Sequence, residues 1–273
     1  MNERERQAFS DLREVVLEMS WRCLLVGAHA RDACLPRGVQ PPRRTTDVDM
    51  AVLLSRPSSE EDIQTFLKRC ESRFDETQHP LRLRHRTTGV PVDVLVCGEV
   101  ADVDHMDDRH TSMVDLDVGT LRHCFERSEA ESADPTLPTP PLPIFVLLKL
   151  VAWRDRRLRT DLADIGYVLR HHRPEQEPFD DDDFTGMCAR EELGLEDHPC
   201  WVVGRDLAED LPAAGRRRLL DALSDLERAR LETRAALAEY LKLSPDDRLV
   251  WSDRMLRVLL FATRVEGTPD PAR

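Results

Sequence analysis

Apolar residues recur at Phe9, Leu12, Val15, Val16 and Met19. That spacing predicts a helix over residues 5–20 with one buried stripe. The run Cys23-Leu24-Leu25-Val26 is apolar throughout and stops at Gly27, as a short strand does. Residues 28–35 predict a short helix ended by Pro36 and Gly38, and residues 37–46, rich in Pro, Gly and Arg, predict a loop. Residues 47–54 (Asp-Val-Asp-Met-Ala-Val-Leu-Leu) alternate at first and then turn apolar, which predicts a strand. Ser58 or Ser59 can cap a helix reaching about Phe74, and Glu60, Glu61 and Asp62 favour its positive end. Residues 81–85 alternate Leu with basic residues in the manner of an edge strand. Residues 91–97 (Pro-Val-Asp-Val-Leu-Val-Cys) form the clearest strand, with Asp93 inside an apolar run.

Residues 98–134 are acidic, with residues 116–118 and 121–125 as candidate short elements. Five prolines between Asp134 and Pro143 read as a linker between halves. Beyond it the periodicity becomes helical, over residues 144–158, 161–172, 201–211, 216–241 and 249–262. The pattern predicts an α/β (α+β) architecture: a small mixed-sheet domain over residues 1–134, then a helical domain over residues 135–273. The four consecutive aspartates Asp180 to Asp183 read as a helix-start loop, because consecutive residues cannot all face one ion.

Composition narrows the function classes. The chain has 273 residues, 41% hydrophobic and 33% charged, which fits a globular protein with enough chain for a sizeable core. No apolar run approaches the roughly 18 residues that span a bilayer, and residues 1–6 carry charges of both signs, unlike a secretory leader. A net charge of −13 argues against a broad grip on a nucleic-acid backbone. The basic runs at residues 82–86, 154–159 and 216–218 read first as solvated faces. Seven cysteines without a Cys-x-x-Cys spacing indicate neither a disulfide framework nor a zinc site, so reduced thiols in the cytoplasm are the simplest account. The histidines show no ligand spacing.

The candidate chemistry lies in three acids. Asp47 and Asp49 are two apart on a predicted strand, so both point to one side. Two close carboxylates repel, and a divalent cation between them removes that cost. Such pairs also occur as plain solvent-facing residues. Asp93, flanked by Val92 and Val94, needs a partner, because burying an unpaired charge is expensive. If its strand lies beside the Asp47 strand, three carboxylates meet and can hold two metal ions. The alternative is an ion pair from Asp93 to Arg82 or Arg84. Gly27-Ala28, at a strand-to-helix turn, suits close approach of the backbone to a ligand.

Together these pieces resemble the DNA polymerase β nucleotidyltransferase superfamily. The match runs through Leu24-Leu25-Val26-Gly27-Ala28, Arg44-Thr45-Thr46-Asp47-Val48-Asp49 and Val92-Asp93-Val94. The Arg-Thr-x-Asp-x-Asp form is similar to the abortive-infection (AbiEii/AbiGii) toxin type. The resemblance implies a nucleotidyltransferase fold, with Asp47, Asp49 and Asp93 as catalytic metal ligands for Mg²⁺ or Mn²⁺. It implies nucleotide-binding roles for Gly27, Ala28, Arg44, Thr45 and Lys149, an NTP substrate and an antitoxin partner. Lys149, with Arg154 to Arg157, Asp161 and Asp164, stands where relatives carry a lysine, an arginine and two aspartates, and would reach the site from the helical side. Arg157 and Asp161 are at i,i+4 spacing and suit a helical pair. Asp32, after the glycine turn, is similar to a residue of antibiotic nucleotidyltransferases. Ala28 departs from the usual Gly or Ser, so no hydroxyl is available there for phosphates.

The reading is therefore an enzyme that moves an NMP from an NTP to a hydroxyl of an RNA end, a protein or a small molecule. A second reading is a catalytically degenerate nucleotide- or partner-binding protein of the same fold, motivated by Ala28. A third is an Asp-x-Asp glycosyltransferase, which needs no third acid on a neighbouring strand.

Overall fold

The computed structural model describes residues 1–54, 59–79, 81–98, 116–175, 177–191 and 193–265. Ser58 and most of the acidic stretch after Gly98 lie outside them. The chain divides into two compact units, residues 1–33 with 43–145 and residues 34–42 with 146–273. The division differs from the one expected at residue 134 in two places: the loop 34–42 goes with the second unit, and residues 135–145 go with the first.

The first unit runs α1 (Glu3–Glu18), β1 (Arg22–Leu25), α2 (Gly27–Ala33), β2 (Val48–Leu53), α3 (Glu60–Cys70), β3 (Phe74–Glu76), β4 (Arg82–His85), β5 (Pro91–Cys97) and α4 (Val118–Glu131). The five strands form one sheet in the order β1-β2-β5-β4-β3. β2 and β5 run parallel and the other neighbours antiparallel, so the sheet is mixed. Alternate residues Val48, Met50, Val52, Val92, Val94 and Val96 face a core closed by Phe9, Leu12 and Val16 of α1 and Ile63, Phe66 and Leu67 of α3. Each such side chain stabilises the fold by roughly 1.5–3 kcal/mol. Period-2 burial leaves Asp49 and Asp93 on the opposite side. α4 contacts β1 and β2.

Local chemistry sets the element ends. α1 begins earlier than periodicity suggested because Asn2 and Glu5 form a capping box: the Glu5 N–H donates to Asn2 Oδ1 (3.0 Å) and the Asn2 N–H to Glu5 Oε2 (2.7 Å). Ser59 caps α3 with Asp62. Phe74, expected at the end of that helix, opens β3 instead, and its buried ring packs 5.1 Å from that of His85. With β3 outside it, β4 is an interior strand rather than the expected edge. Residues 116–125 form no separate short elements; Asp117 caps the single helix α4 through the Thr120 N–H. The proline-rich segment is tied to the sheet, since the Leu25 N–H donates to the Pro138 carbonyl at 2.8 Å.

The second unit comprises most of α5 (Leu142–Arg156), then α6 (Arg159–His171), α7 (Asp182–Glu191), α8 (His198–Asp210), α9 (Ala213–Glu227), α10 (Leu231–Arg234) and α11 (Pro245–Val265). The helix expected over residues 216–241 is broken. Arg230 turns extended (φ −59°, ψ 150°), α10 follows, and a 3₁₀ turn over Ala235–Ala238 packs Ala236 and Leu237 against α6 and α11. α5 and α6 are parted by Arg157, which takes a left-handed backbone (φ 56°). The expected Arg157–Asp161 pair is therefore absent. Arg157 instead lies over the Trp153 ring (4.6 Å) and reaches Asp225, while Arg156 holds Asp161.

The aspartate run does begin a helix, and Asp181 within it is buried. It accepts from the Phe184 N–H (2.9 Å) and from Arg205 Nη1 (2.8 Å). His198 Nε2 lies 3.4 Å from the same carboxylate, with burial holding its imidazole below the usual value. All seven cysteines are free thiols. Among the described residues no helix is long and apolar enough to cross a membrane.

Candidate active site

The three acids enter the same side of the sheet through register. β2 and β5 are paired so that Asp49 stands opposite Asp93. Neighbouring strands lie about 4.8 Å apart, and partnered residues project to one face. Asp47 immediately precedes β2, and its parity matches that of Asp49. The Thr45 hydroxyl donates to Asp47 Oδ1 in a short contact that fixes the approach to the strand.

Gly27 lies against Asp49. It opens α2 with φ +66°, and a Cβ built on it would fall 1.8 Å from Asp49 Oδ2. The Val26 N–H donates to the Asp49 carbonyl at 3.0 Å, which pins this turn to β2. Only a residue without a side chain leaves the Asp49 carboxylate its room. Ala28, by contrast, is 3% exposed, so its methyl group belongs to the core.

Arg82 supplies the counter-charge. Its Cα faces that of Asp93 in the β4–β5 ladder. Nη1 donates to Asp93 Oδ2 at 3.3 Å, and Nη2 stands 3.9 Å from Asp47 Oδ2. The three side chains are 28–40% exposed, so each contact is worth little on its own. Arg84, on the same face, donates instead to the Gly89 carbonyl at 3.1 Å. As the side chains stand, no three His, Cys, Asp or Glu among the described residues converge tightly enough to hold one ion. Two of the three carboxylates, those of Asp93 and Asp47, face the Arg82 guanidinium. Their chemistry still suits Mg²⁺ or Mn²⁺: they offer hard oxygens, and the space that a Cβ on Gly27 would fill is left to the Asp49 carboxylate.

Two neighbouring residues drew no attention in the sequence. Arg31, 0% exposed, donates through Nε (2.8 Å) and Nη2 (2.6 Å) to Asp32 and through Nη2 to the Arg43 carbonyl (3.0 Å). It thereby ties α2 to the segment leading into Asp47 and gives Asp32 a structural partner. His29, also buried, has Glu5 Oε2 3.5 Å from Nε2, without the geometry of a hydrogen bond. Burial lowers its imidazole value against the opposing pull of Glu5. The available signal was a pair of bulky polar residues in a short helix of alanines, Ala28, Ala30 and Ala33.

Of the remaining predicted residues, Arg44 is exposed and Thr45 half-buried. Lys149 belongs to the second unit and is 9% exposed. Its Nζ lies 2.9 Å from Asp161 Oδ1 and 3.0 Å from Asp164 Oδ2. Arg156 Nη2 is 3.0 Å from both oxygens of Asp161. Burial pulls the Lys149 value down, but Asp164 and Asp161 outweigh it and raise it, so the ammonium is charged.

No curated protein matches the chain closely enough to be compared with it. The family model described as "Nucleotidyl transferase AbiEii toxin, Type IV TA system" does match, over residues 33–255, a span that holds Asp47, Asp49, Asp93, Lys149, Asp161 and Asp164 but begins beyond Gly27. With most of its length in that match, the chain belongs to the AbiEii nucleotidyl transferase family of toxins from type IV toxin–antitoxin systems.

Proposed function

We propose that the chain is a metal-dependent nucleotidyltransferase that moves an NMP from an NTP to a hydroxyl acceptor, with release of pyrophosphate. The acceptor is an RNA end, a protein or a small molecule, the reaction takes place in the cytoplasm, and a cognate antitoxin is the partner. The observation that carries the reading is the register opposing Asp49 to Asp93, with Asp47 of matching parity just upstream.

In this reading Asp47, Asp49 and Asp93 hold Mg²⁺ or Mn²⁺. When bound, the ions lower the pKa of the acceptor hydroxyl and neutralise charge on the phosphates. Gly27 contributes by absence, leaving the Asp49 carboxylate free of a clash. Thr45 orients Asp47 through its hydroxyl. Gly27, Ala28, Arg44 and Thr45 bind the nucleotide, with the Arg44 guanidinium offsetting its charge, and the family resemblance assigns a triphosphate role to Lys149 as well.

The test is Mg²⁺- or Mn²⁺-dependent pyrophosphate release from each labelled NTP with total RNA as acceptor, compared with an Asp47→Ala plus Asp49→Ala variant. Wild type is expected to exceed the variant by at least about a hundredfold, the scale on which a main electrostatic group acts. Equal rates would refute the reading. Ala28, which stands in place of the usual Gly or Ser, motivates a second reading: a protein that binds nucleotide or a partner without turnover. Calorimetric NTP binding with no product on any acceptor would select it.

A further inference from the structure

Three carboxylates on one face of a sheet carry a self-repulsion that some positive charge must offset. Arg82 brings positive charge to two of them, with different nitrogens directed at Asp93 (3.3 Å) and Asp47 (3.9 Å). The origin of this side chain is fixed on every side. Arg82 pairs with Asp93 in the β-ladder, its N–H donates to the His79 carbonyl (3.0 Å), and its carbonyl accepts from the Thr77 hydroxyl (2.6 Å). The side chain is 40% exposed, and its guanidinium hangs on a flexible stem. A pinned base with a free head can leave the carboxylates without disturbing the strand.

We propose that Arg82 is the internal counter-ion of the acid cluster, standing where a metal ion's charge would stand, so that the ion must displace it to bind. This rests on the reading of Asp47, Asp49 and Asp93 as metal ligands. Arg82 neutralises the acids while no ion is present, and it weakens their affinity for a free divalent cation by competing for the same oxygens. A doubly charged ion that must take these oxygens from a nearby unit charge in a wet site is opposed by about tenfold in affinity.

The experiment is a titration of the full-length chain with Mn²⁺, followed by the paramagnetic resonance signal of the free ion. The proteins are wild type, Arg82→Gln, Arg82→Lys and Arg84→Gln, with Asp47→Asn plus Asp49→Asn as the site control. Arg82→Gln is expected to bind Mn²⁺ about tenfold more tightly, while Arg82→Lys, which keeps the charge, and Arg84→Gln, whose partner is a carbonyl, stay within about threefold of wild type. In EDTA the Tm of Arg82→Gln should fall below that of wild type, and Mn²⁺ should raise it by more. Unchanged or weaker Mn²⁺ binding by Arg82→Gln overturns the proposal while leaving the metal site standing. Mn²⁺ binding by wild type that the Asp47→Asn plus Asp49→Asn control matches overturns the metal site itself, and the counter-ion role with it. Should Arg82→Gln fold poorly, tighter binding by Arg82→Lys than by wild type would also count against the proposal.

Discussion

Gly27 and Asp49 share a volume that holds only one of their side chains: a Cβ on Gly27 would come within 1.8 Å of Asp49 Oδ2. A strand residue and a turn residue 22 positions earlier are thus coupled by the absence of an atom. Asp49 in turn stands opposite Asp93 in the β2–β5 register, so the turn at Gly27 borders the strand pair that carries both acids.

Gly27→Ala is expected to act in two ways that a control separates. The backbone at φ +66° costs a non-glycine residue roughly 1–2 kcal/mol, and the clash adds about 1–3 kcal/mol of overpacking. Gly89 has a similar φ of +71°, but its nearest atom is Arg4 Nη2 at 3.9 Å. Gly89→Ala should therefore lose only the backbone contribution. Urea denaturation of both variants, with Mn²⁺ titration alongside, checks this. Equal losses of stability and intact Mn²⁺ binding in Gly27→Ala would mean that the Asp49 carboxylate moves aside at no cost.

The aspartate run at 180–183 predicts a sharp contrast between neighbours. Asp181 is 1% exposed and accepts from Arg205 and the Phe184 N–H, whereas Asp182 and Asp183 are exposed. Removing one member of a buried ion pair costs about 3–5 kcal/mol, and exposed substitutions usually stay within about 0.5 kcal/mol. Asp181→Ala should thus destabilise strongly while Asp182→Ala and Asp183→Ala do not. Denaturation midpoints for the three variants decide the matter, and similar values for all three would show that the Arg205 pair contributes nothing net.

This run also marks where sequence reasoning reaches its limit. A helix start was legible at residues 180–183, since acids gather at helix N-termini. Which of the four turns inward depends on Arg205, which arrives from another helix. The same holds for the sheet. Strand β5 was legible because Val92, Val94 and Val96 alternate between clear boundaries, and the acids of β2 and β5 stood out against apolar neighbours. That β2 and β5 lie side by side with Asp49 against Asp93 is a pairing choice that no local pattern encodes. β3 has only three residues, too few to show a period, so β4 looked like an edge. The breaks at Arg157 and Arg228–Arg230 carry no glycine or proline and follow from packing around Trp153 and Leu237 instead. Arg31 was illegible for the same reason: nothing local foretells that an arginine will be fully buried.

Alkaline pH should weaken the fold through its thiols. Burial pushes Cys23, Cys70 and Cys97 from an ordinary 9.0 up to about 12, with Cys124 adding to the effect at Cys97. For an acid whose folded value is raised, the unfolded chain loses the proton first. Stability is therefore fully present below pH 9 and falls as pH rises from 9 toward 12. Each thiol contributes about 1.4 kcal/mol per pH unit in that window. Urea midpoints at pH 7, 9 and 10 should show most of the fall between the last two, and Cys97→Val should make it shallower. A flat profile from pH 9 to 10 would mean that these thiols ionise within the fold.

The role of Lys149 can be separated from its structural surroundings by one added substitution. Its ammonium is buried against Asp161 and Asp164, which are themselves 2% and 0% exposed. Lys149→Met strips a cation from two buried acids and should cost about 3–5 kcal/mol. Asp161 suffers less of this, because Arg156 still lies 3.0 Å from both its oxygens. Adding Asp164→Leu replaces a buried ion pair by apolar groups of similar size, an exchange that is often close to neutral. The double variant should recover at least about 1 kcal/mol over Lys149→Met. Nucleotide binding responds differently. If the ammonium serves the triphosphate as well as the acids, the refolded double variant regains stability but not NTP affinity, measured by calorimetry. If Lys149 only neutralises Asp161 and Asp164, affinity returns together with the fold. A double variant no more stable than Lys149→Met would show that the acids find other compensation, and that the lysine's burial is not what holds this part of the second unit together.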